Sequence, residues 1–325
     1  MNLIERIELT ELLKSAAEVL IPDDNEYREL RSHTHPDRFP HNSKEQERAE
    51  KAFKKLELLY ELTKVPTIIV KSKAEYSLGD LIGVGDVSNV YRASSNGSHD
   101  YVVKVSRVEG GDVYLNKEAN VLKKLNDKAG DTTYKNYVPR LVESFVWDDT
   151  FKKRINVFEE PYRLYSLEDI KKKYKDGVDG RHVSWIFRRI LTGLGFCHLQ
   201  GVVHGAILPQ HILVEPESHG VCLGGWIHSV ENALITVIPE SHKTWYPEEV
   251  TKKLGASPAT DIYMTAKCML DIANKETPKR IRIFLESLLI GSQKARPNDA
   301  WKLNDEFTDV MDDVYGVRKF VKFEV

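Results

Sequence analysis

One stretch past the middle of the chain limits its folds more than any other. Apolar residues recur at helical spacing over Val183–Gln200 (Trp185, Ile186, Ile190, Leu191, Leu194, Phe196, Cys197), which predicts a long buried helix. Gly201 follows, then the loop Val202-Val203-His204-Gly205-Ala206-Ile207-Leu208-Pro209-Gln210-His211 and a short apolar strand, Ile212–Val214. A second apolar run, Val221-Cys222-Leu223, leads into Gly224-Gly225-Trp226-Ile227. Helix, loop and strand in this order leave few architectures open, and the remaining segments are read around them.

At 325 residues the chain has room for two domains, or one large and one small. Its 41% hydrophobic and 30% charged residues describe a globular protein, not a disordered one. The formal net charge is −2, with Lys and Arg spread along the whole sequence, which argues against a dedicated nucleic-acid binder. Cys197, Cys222 and Cys268 are widely spaced in apolar surroundings, as expected of buried free thiols in a reducing compartment. The first residues lack the apolar core of a signal peptide, and no apolar run is long enough to span a bilayer. A cytoplasmic protein with no membrane partner is the expectation.

Toward the N-terminus, Ile4, Ile7, Leu12, Leu13, Ala16, Val19 and Leu20 predict an amphipathic helix over 3–20. Pro22-Asp23-Asp24-Asn25 breaks it and caps a second helix over 25–34. His35-Pro36-Asp37 ends that helix, because Pro36 biases His35 away from helical angles. Asn42-Ser43 start a third, with Ala49, Ala52, Phe53, Leu56, Leu59 and Tyr60 on one face. Helix, short helix, His-Pro-Asp loop and long helix resemble a J-domain, the DnaJ-type module. The resemblance implies docking on a heat-shock ATPase chaperone through His35, Pro36 and Asp37, with Arg28, Arg31 and Arg38 as a basic flank. This second helix carries fewer basic residues than that family's usual face.

Lys64–Glu75 mixes Pro66, charges and the β-branched run Thr67–Val70, and is expected to be a linker with one edge strand. Leu81–Tyr91 then carries Gly83-Val84-Gly85-Asp86-Val87-Ser88, where the two glycines allow backbone N–H groups to approach phosphates. A strand over Asp100–Val105 bears Lys104, and a helix opening at Asn116 bears Glu118. Val138–Trp147 and Arg154–Glu159 read as two more strands, with Glu159-Glu160-Pro161 as a hinge after them.

Taken together, residues 76–310 resemble a protein kinase with its parts in the usual order. The implied fold is α+β and bilobal: a β-rich small lobe over 76–160, and a helical large lobe with its tail over 161–325. A small all-α J-like module over 1–63 and a linker over 64–75 precede it. By that resemblance Gly83, Gly85, Val90, Lys104 and Glu118 surround a nucleotide, and Phe158 closes the back of its pocket. Glu248, from Tyr246-Pro247-Glu248, pairs with Arg296, and Asp261 bonds the catalytic-loop backbone. These three are structural in active kinases too.

The reactive positions are degenerate. His204 and Pro209 match the catalytic loop, but Ala206 stands in place of the catalytic Asp, Leu208 in place of the Lys and His211 in place of the metal-binding Asn. Gly225-Trp226-Ile227 falls on Asp-Phe-Gly, so the second metal ligand is missing as well. Phosphoryl transfer needs positioning, an orienting carboxylate and metal ions on the phosphates. Magnesium demands hard oxygen ligands, which Gly225 and His211 do not offer. The expectation is therefore a pseudokinase with no catalytic residue and no metal, leaving room for ATP or another nucleotide beside Lys104. Its partners would be a heat-shock chaperone, a protein client, or both. Two alternatives remain: an atypical kinase-fold transferase using ATP with Asp86 or Glu118 as carboxylate, and an inert interaction scaffold.

Overall fold

The computed structural model describes residues 24–41, 43–50, 53, 56, 69–96, 98–147, 153–160, 163–231, 233–235, 238, 240–317 and 319–325. The expected helix over 3–20, the connector up to Ile68 and the hinge residue Pro161 lie outside them. The chain divides into two compact units, Met1–Ile68 and Ile69–Val325.

In the first unit, α1 (Asp24–Thr34) ends where the Thr34 hydroxyl, fully buried, donates back to the Leu30 carbonyl at 2.8 Å. His35 is extended (φ −61°, ψ 128°), as a residue before proline must be, and Pro36–Arg38 form one 3-10 turn. The His35 Nδ1 accepts from the Asp37 N–H at 3.3 Å. Ser43 caps the next helix, α2, its hydroxyl accepting from the Gln46 N–H at 3.0 Å; α2 is described over 44–50, 53 and 56. The ring of Phe53 on α2 takes the His35 imidazole edge-on at 5.1 Å and the Arg31 guanidinium over its face at 5.5 Å. Phe39, Ala49 and Leu56 are buried.

The second unit opens with a six-stranded antiparallel sheet in the order β1-β2-β3-β4-β6-β5. Its strands are β1 (Ile69–Lys71), β2 (Glu75–Val84), β3 (Ser88–Ser95), β4 (Ser98–Ser106), β5 (Arg140–Val146) and β6 (Arg154–Glu159). β1 is the edge strand expected of the connector, and it pairs with β2. Helix α3 (Gly111–Ala129) crosses from β4 to β5 and buries Leu115, Leu122 and Leu125.

A helical lobe follows, with α4 (Leu167–Lys173), α5 (Gly180–Leu199), α6 (Glu248–Thr251), α7 (Pro258–Ile272), α8 (Lys279–Ser287) and α9 (Ala300–Tyr315). The buried helix read from the sequence is α5, capped by Asp179 and buried along Val183, Ile186, Phe187, Ile190, Leu191 and Leu194. Three short strands, β7 (Tyr165–Ser166), β8 (Ile212–Glu215) and β9 (Gly220–Leu223), lie in this lobe, and the loop carrying His204 leads into β8. One hydrophobic core runs from Leu122 and Phe158 of the first lobe to Ile190, Trp226 and Met269 of the second. The C-terminal tail packs back onto the helical lobe: Phe323 stacks on His182 at 4.4 Å, and the Tyr174 hydroxyl donates to the Glu324 carbonyl at 2.7 Å. Cys197 and Cys268 are buried, Cys222 is half-buried, and all three are free thiols. Among the described residues no helix is long and apolar enough to cross a membrane.

Candidate functional site

The cleft between sheet and helical lobe collects most of the residues singled out above. Lys104 on β4 and Glu118 on α3 form an ion pair at 2.6 Å, Glu118 being almost wholly buried. The other Glu118 oxygen accepts from the Asn156 amide at 3.1 Å, and that amide also donates to the Leu115 carbonyl at 2.9 Å. Asn156 thus clamps α3 to the sheet, a role the sequence reading missed. Its signal was an amide inside the otherwise apolar run Ile155-Asn156-Val157-Phe158 of β6.

Above the pair, Gly83 and Val84 end β2, and the turn to β3 closes with the Gly85 N–H donating to the Ser88 carbonyl at 2.9 Å. Arg107 clips that turn from below. Its N–H donates to the Val87 carbonyl at 2.9 Å and its guanidinium to the Gly85 carbonyl at 3.2 Å. Val87, at the tip, is buried against Leu115 and Ile227. Val90 on β3 is half-buried across from Lys104, and Phe158 on β6 is buried, paired across the sheet with Val102.

Opposite lies the loop 202–211. Asp261 at the start of α7 is fully buried and organises the loop, accepting from the His204 and Gly205 N–H groups at 2.8 Å each. It also accepts from the His198 ring at 2.9 Å. Gly205 has φ +73°, and a Cβ there would fall 2.8 Å from the His228 carbonyl, so the loop needs glycine. The His204 Nε2 donates to the Gly224 carbonyl at 2.7 Å, while its Nδ1 accepts from the Ala206 N–H at 3.2 Å. His211 donates from Nδ1 to the Ala206 carbonyl at 2.8 Å. With one nitrogen donating and the other accepting, His204 is a neutral imidazole. Burial pushes His204 down to about 4 and His211 down to about 3. The methyl of Ala206 is fully buried, and the ring of His211 lies on Gly225.

The protein kinase domain family matches this chain over residues 76–314. The chain belongs to the protein kinase family. The serine/threonine-protein kinase ppk21 of Schizosaccharomyces pombe is 30% identical over 160 residues, covering 46% of this chain. The chain spans only about a quarter (26%) of that relative's length. Vaccinia related kinase 3 superposes with a TM-score of 0.60 at 16% identity, over 77% of this chain and 92% of its own. The BubR1 kinase domain does so with 0.58 at 14% identity, over 76% and 84%. Both likenesses speak to the bilobal fold.

Within that kinase fold one sequence assignment is corrected. Glu248 is exposed and pairs with Lys252, one turn along α6. Arg296 instead grips Glu249, with Nη1 at 2.8 Å and Nη2 at 3.2 Å from its two oxygens, both residues being buried. Pro247 starts α6, and from that start the second residue faces the core and the first faces solvent. The remaining Arg296 donors reach the Ile290, Ala259 and Gly291 carbonyls.

The kinase residues present do not suit magnesium. Ala206 and Gly225 bring no side-chain ligand atom, and His211 offers ring nitrogens, one of them held by the Ala206 carbonyl, where magnesium takes oxygen ligands. No step through a metal follows. Of the residues singled out for a nucleotide, the structure pairs Lys104 with Glu118 and sets Val90 opposite Lys104 across the β3–β4 ladder. In the first unit His35 and Asp37 are solvent-accessible, at 43% and 84% side-chain exposure. Arg28, Arg31 and Arg38 are exposed too.

Proposed function

We propose that this chain is a kinase-fold protein that does not transfer phosphate, a pseudokinase working as an adaptor or co-chaperone. The carrying observation is the His211 ring lying on Gly225. It fills the space in which a metal-binding carboxylate would have to stand, while Ala206 presents a buried methyl where the orienting carboxylate is needed. What persists is the scaffold: the Lys104–Glu118 pair and the Asp261 and Glu249–Arg296 networks. These hold the lobes in shape for binding.

The cleft would hold a nucleotide as a structural ligand, its phosphates on Lys104. Thermal unfolding with ATP, with and without magnesium, tests this. A ligand at a hundredfold excess over its Kd adds about 2.7 kcal/mol. The reading expects the same shift with EDTA as with magnesium, and no label moved from γ-labelled ATP. A shift that requires magnesium, or label on any protein substrate, would instead favour the transferase reading.

The exposed His-Pro-Asp turn after α1 supports a J-like module that engages a heat-shock ATPase. Stimulation of such an ATPase by the wild-type chain should disappear with His35→Gln. Equal stimulation by both proteins would leave the adaptor role without its chaperone.

A further inference from the structure

On the far side of the helical lobe, the outer face of α5 meets the C-terminal tail along a groove. Arg181, Trp185, Arg188, Arg189 and Thr192 share that face by helical spacing. Gly316 (φ +66°) turns the chain out of α9, and the tail runs back beside the helix. Between them lie two adjoining cavities of about 190 and 270 Å³ that share Trp185, Arg188 and His219.

His219 sets the floor of this groove. Its imidazole is sandwiched between Trp185 and Phe320, each centroid 4.2 Å away, and Nε2 donates to the Val321 carbonyl at 2.9 Å. Arg181 and Arg189 are set by neutral groups. The Arg181 guanidinium lies over the Tyr315 ring at 4.9 Å, and Arg189 donates to the His219 carbonyl at 3.0 Å and the Tyr137 hydroxyl at 3.4 Å. Asp179, the acid nearest Arg181 in sequence, accepts from the Arg181 backbone N–H at the helix start. Lys319 adds a fourth cation, and no Asp or Glu is among the described lining residues. In a chain of net charge −2 this is a concentrated positive surface beside apolar side chains. The tail residues that complete it, Tyr315 to Val321, follow residue 314, where the kinase match ends.

We propose that the groove docks an acidic linear segment of a partner protein. Carboxylates of the segment sit on Arg181, Arg189 and Lys319, and one large apolar side chain packs against Trp185 and Met311. Charge complementarity selects the partner, and the aromatic floor supplies the anchor.

Panning a random dodecapeptide phage library on the full chain tests the proposal, followed by fluorescence polarisation with the enriched peptides. The expected winners are rich in Asp and Glu around one aromatic or aliphatic residue, and bind less well as salt rises. Arg181→Glu/Lys319→Glu should weaken them at least about tenfold, the effect of removing one strong charged contact. Val317→Glu, at a side chain 87% exposed at the groove's mouth, should do the same without touching the core. Thermal unfolding of each variant separates lost binding from lost folding. Winners without acidic bias, affinities unchanged in Val317→Glu, or equal competition by single-stranded oligo-dT would each overturn the assignment.

Discussion

The imidazole of His211 occupies the space beside Gly225 so closely that a Cβ at residue 225 would fall 2.5 Å from its ring. Gly225 also has φ +80°, a conformation that side-chain-bearing residues rarely adopt. The two positions are therefore one packing unit, and residue 225 has no room for a side chain while His211 stays. Gly225→Asp should lower stability by about 2–3 kcal/mol, from clash and backbone strain together. Adding His211→Asn removes the clash, so the double variant should recover about 1 kcal/mol relative to the sum of the single changes. Urea unfolding of the four proteins measures this, and strict additivity would show that the contact carries no energy.

The buried Glu249–Arg296 pair predicts a sharp contrast between adjacent glutamates. Glu249→Gln leaves a guanidinium inside the lobe without its counter-charge and should cost about 3–5 kcal/mol. Glu248→Gln removes only a solvent-exposed contact with Lys252 and should leave the Tm unchanged. If the two variants melted alike, the assignment of the buried partner would be in error.

Asn156 is predicted to matter through Glu118. Asn156→Leu removes the side-chain donor to the Leu115 carbonyl and leaves one Glu118 oxygen less well satisfied, at a cost of about 1–3 kcal/mol. Glu118→Gln removes the anion facing Lys104 and should cost about 3 kcal/mol. The proposed nucleotide role expects Glu118→Gln to weaken an ATP-induced thermal shift, because Lys104 loses the group that aims it, and Asn156→Leu to weaken it less, because Glu118 stays but loses one hold. An unaltered shift in Glu118→Gln would separate nucleotide binding from this pair.

Acid should destabilise the protein earlier than its carboxylates alone would. His204 is held down at about 4 and His211 at about 3 by burial, against 6.5 in an unfolded chain. Below pH 6.5 the unfolded chain takes up these protons first, so stability is whole above that pH and falls as pH drops toward the folded values. The slope reaches about 1.4 kcal/mol per pH unit for each histidine. His182 and His219, under the C-terminal tail, are also pushed down by burial and add in the same direction. Denaturant midpoints at pH 7.5 and pH 5.0 give the slope, and His211→Asn should remove one histidine's share. A flat profile between those pH values would mean that these rings are protonated as readily in the fold as outside it.

Much of this protein was legible in the order of its residues. The periodicity of Val183–Gln200 follows from local spacing, while the two-lobed fold was legible through the resemblance of the glycine turn, Lys104 and the Asp261 segment to a kinase. That the loop carries Ala206 and His211, and that Gly225 follows Gly224, is equally plain from the residues themselves. Tertiary structure decided what touches what. It moved the Arg296 partner from Glu248 to Glu249, because the inward face of a short helix depends on where its first turn begins. It set Asn156 against Glu118 across 38 residues, and laid the tail along α5 to leave a basic groove that no local pattern announces. Most of all, it showed that His211 and Gly225, 14 positions apart, share one space. Spacing along the chain fixes local conformation and facing, but contacts between distant segments follow from how the whole core closes.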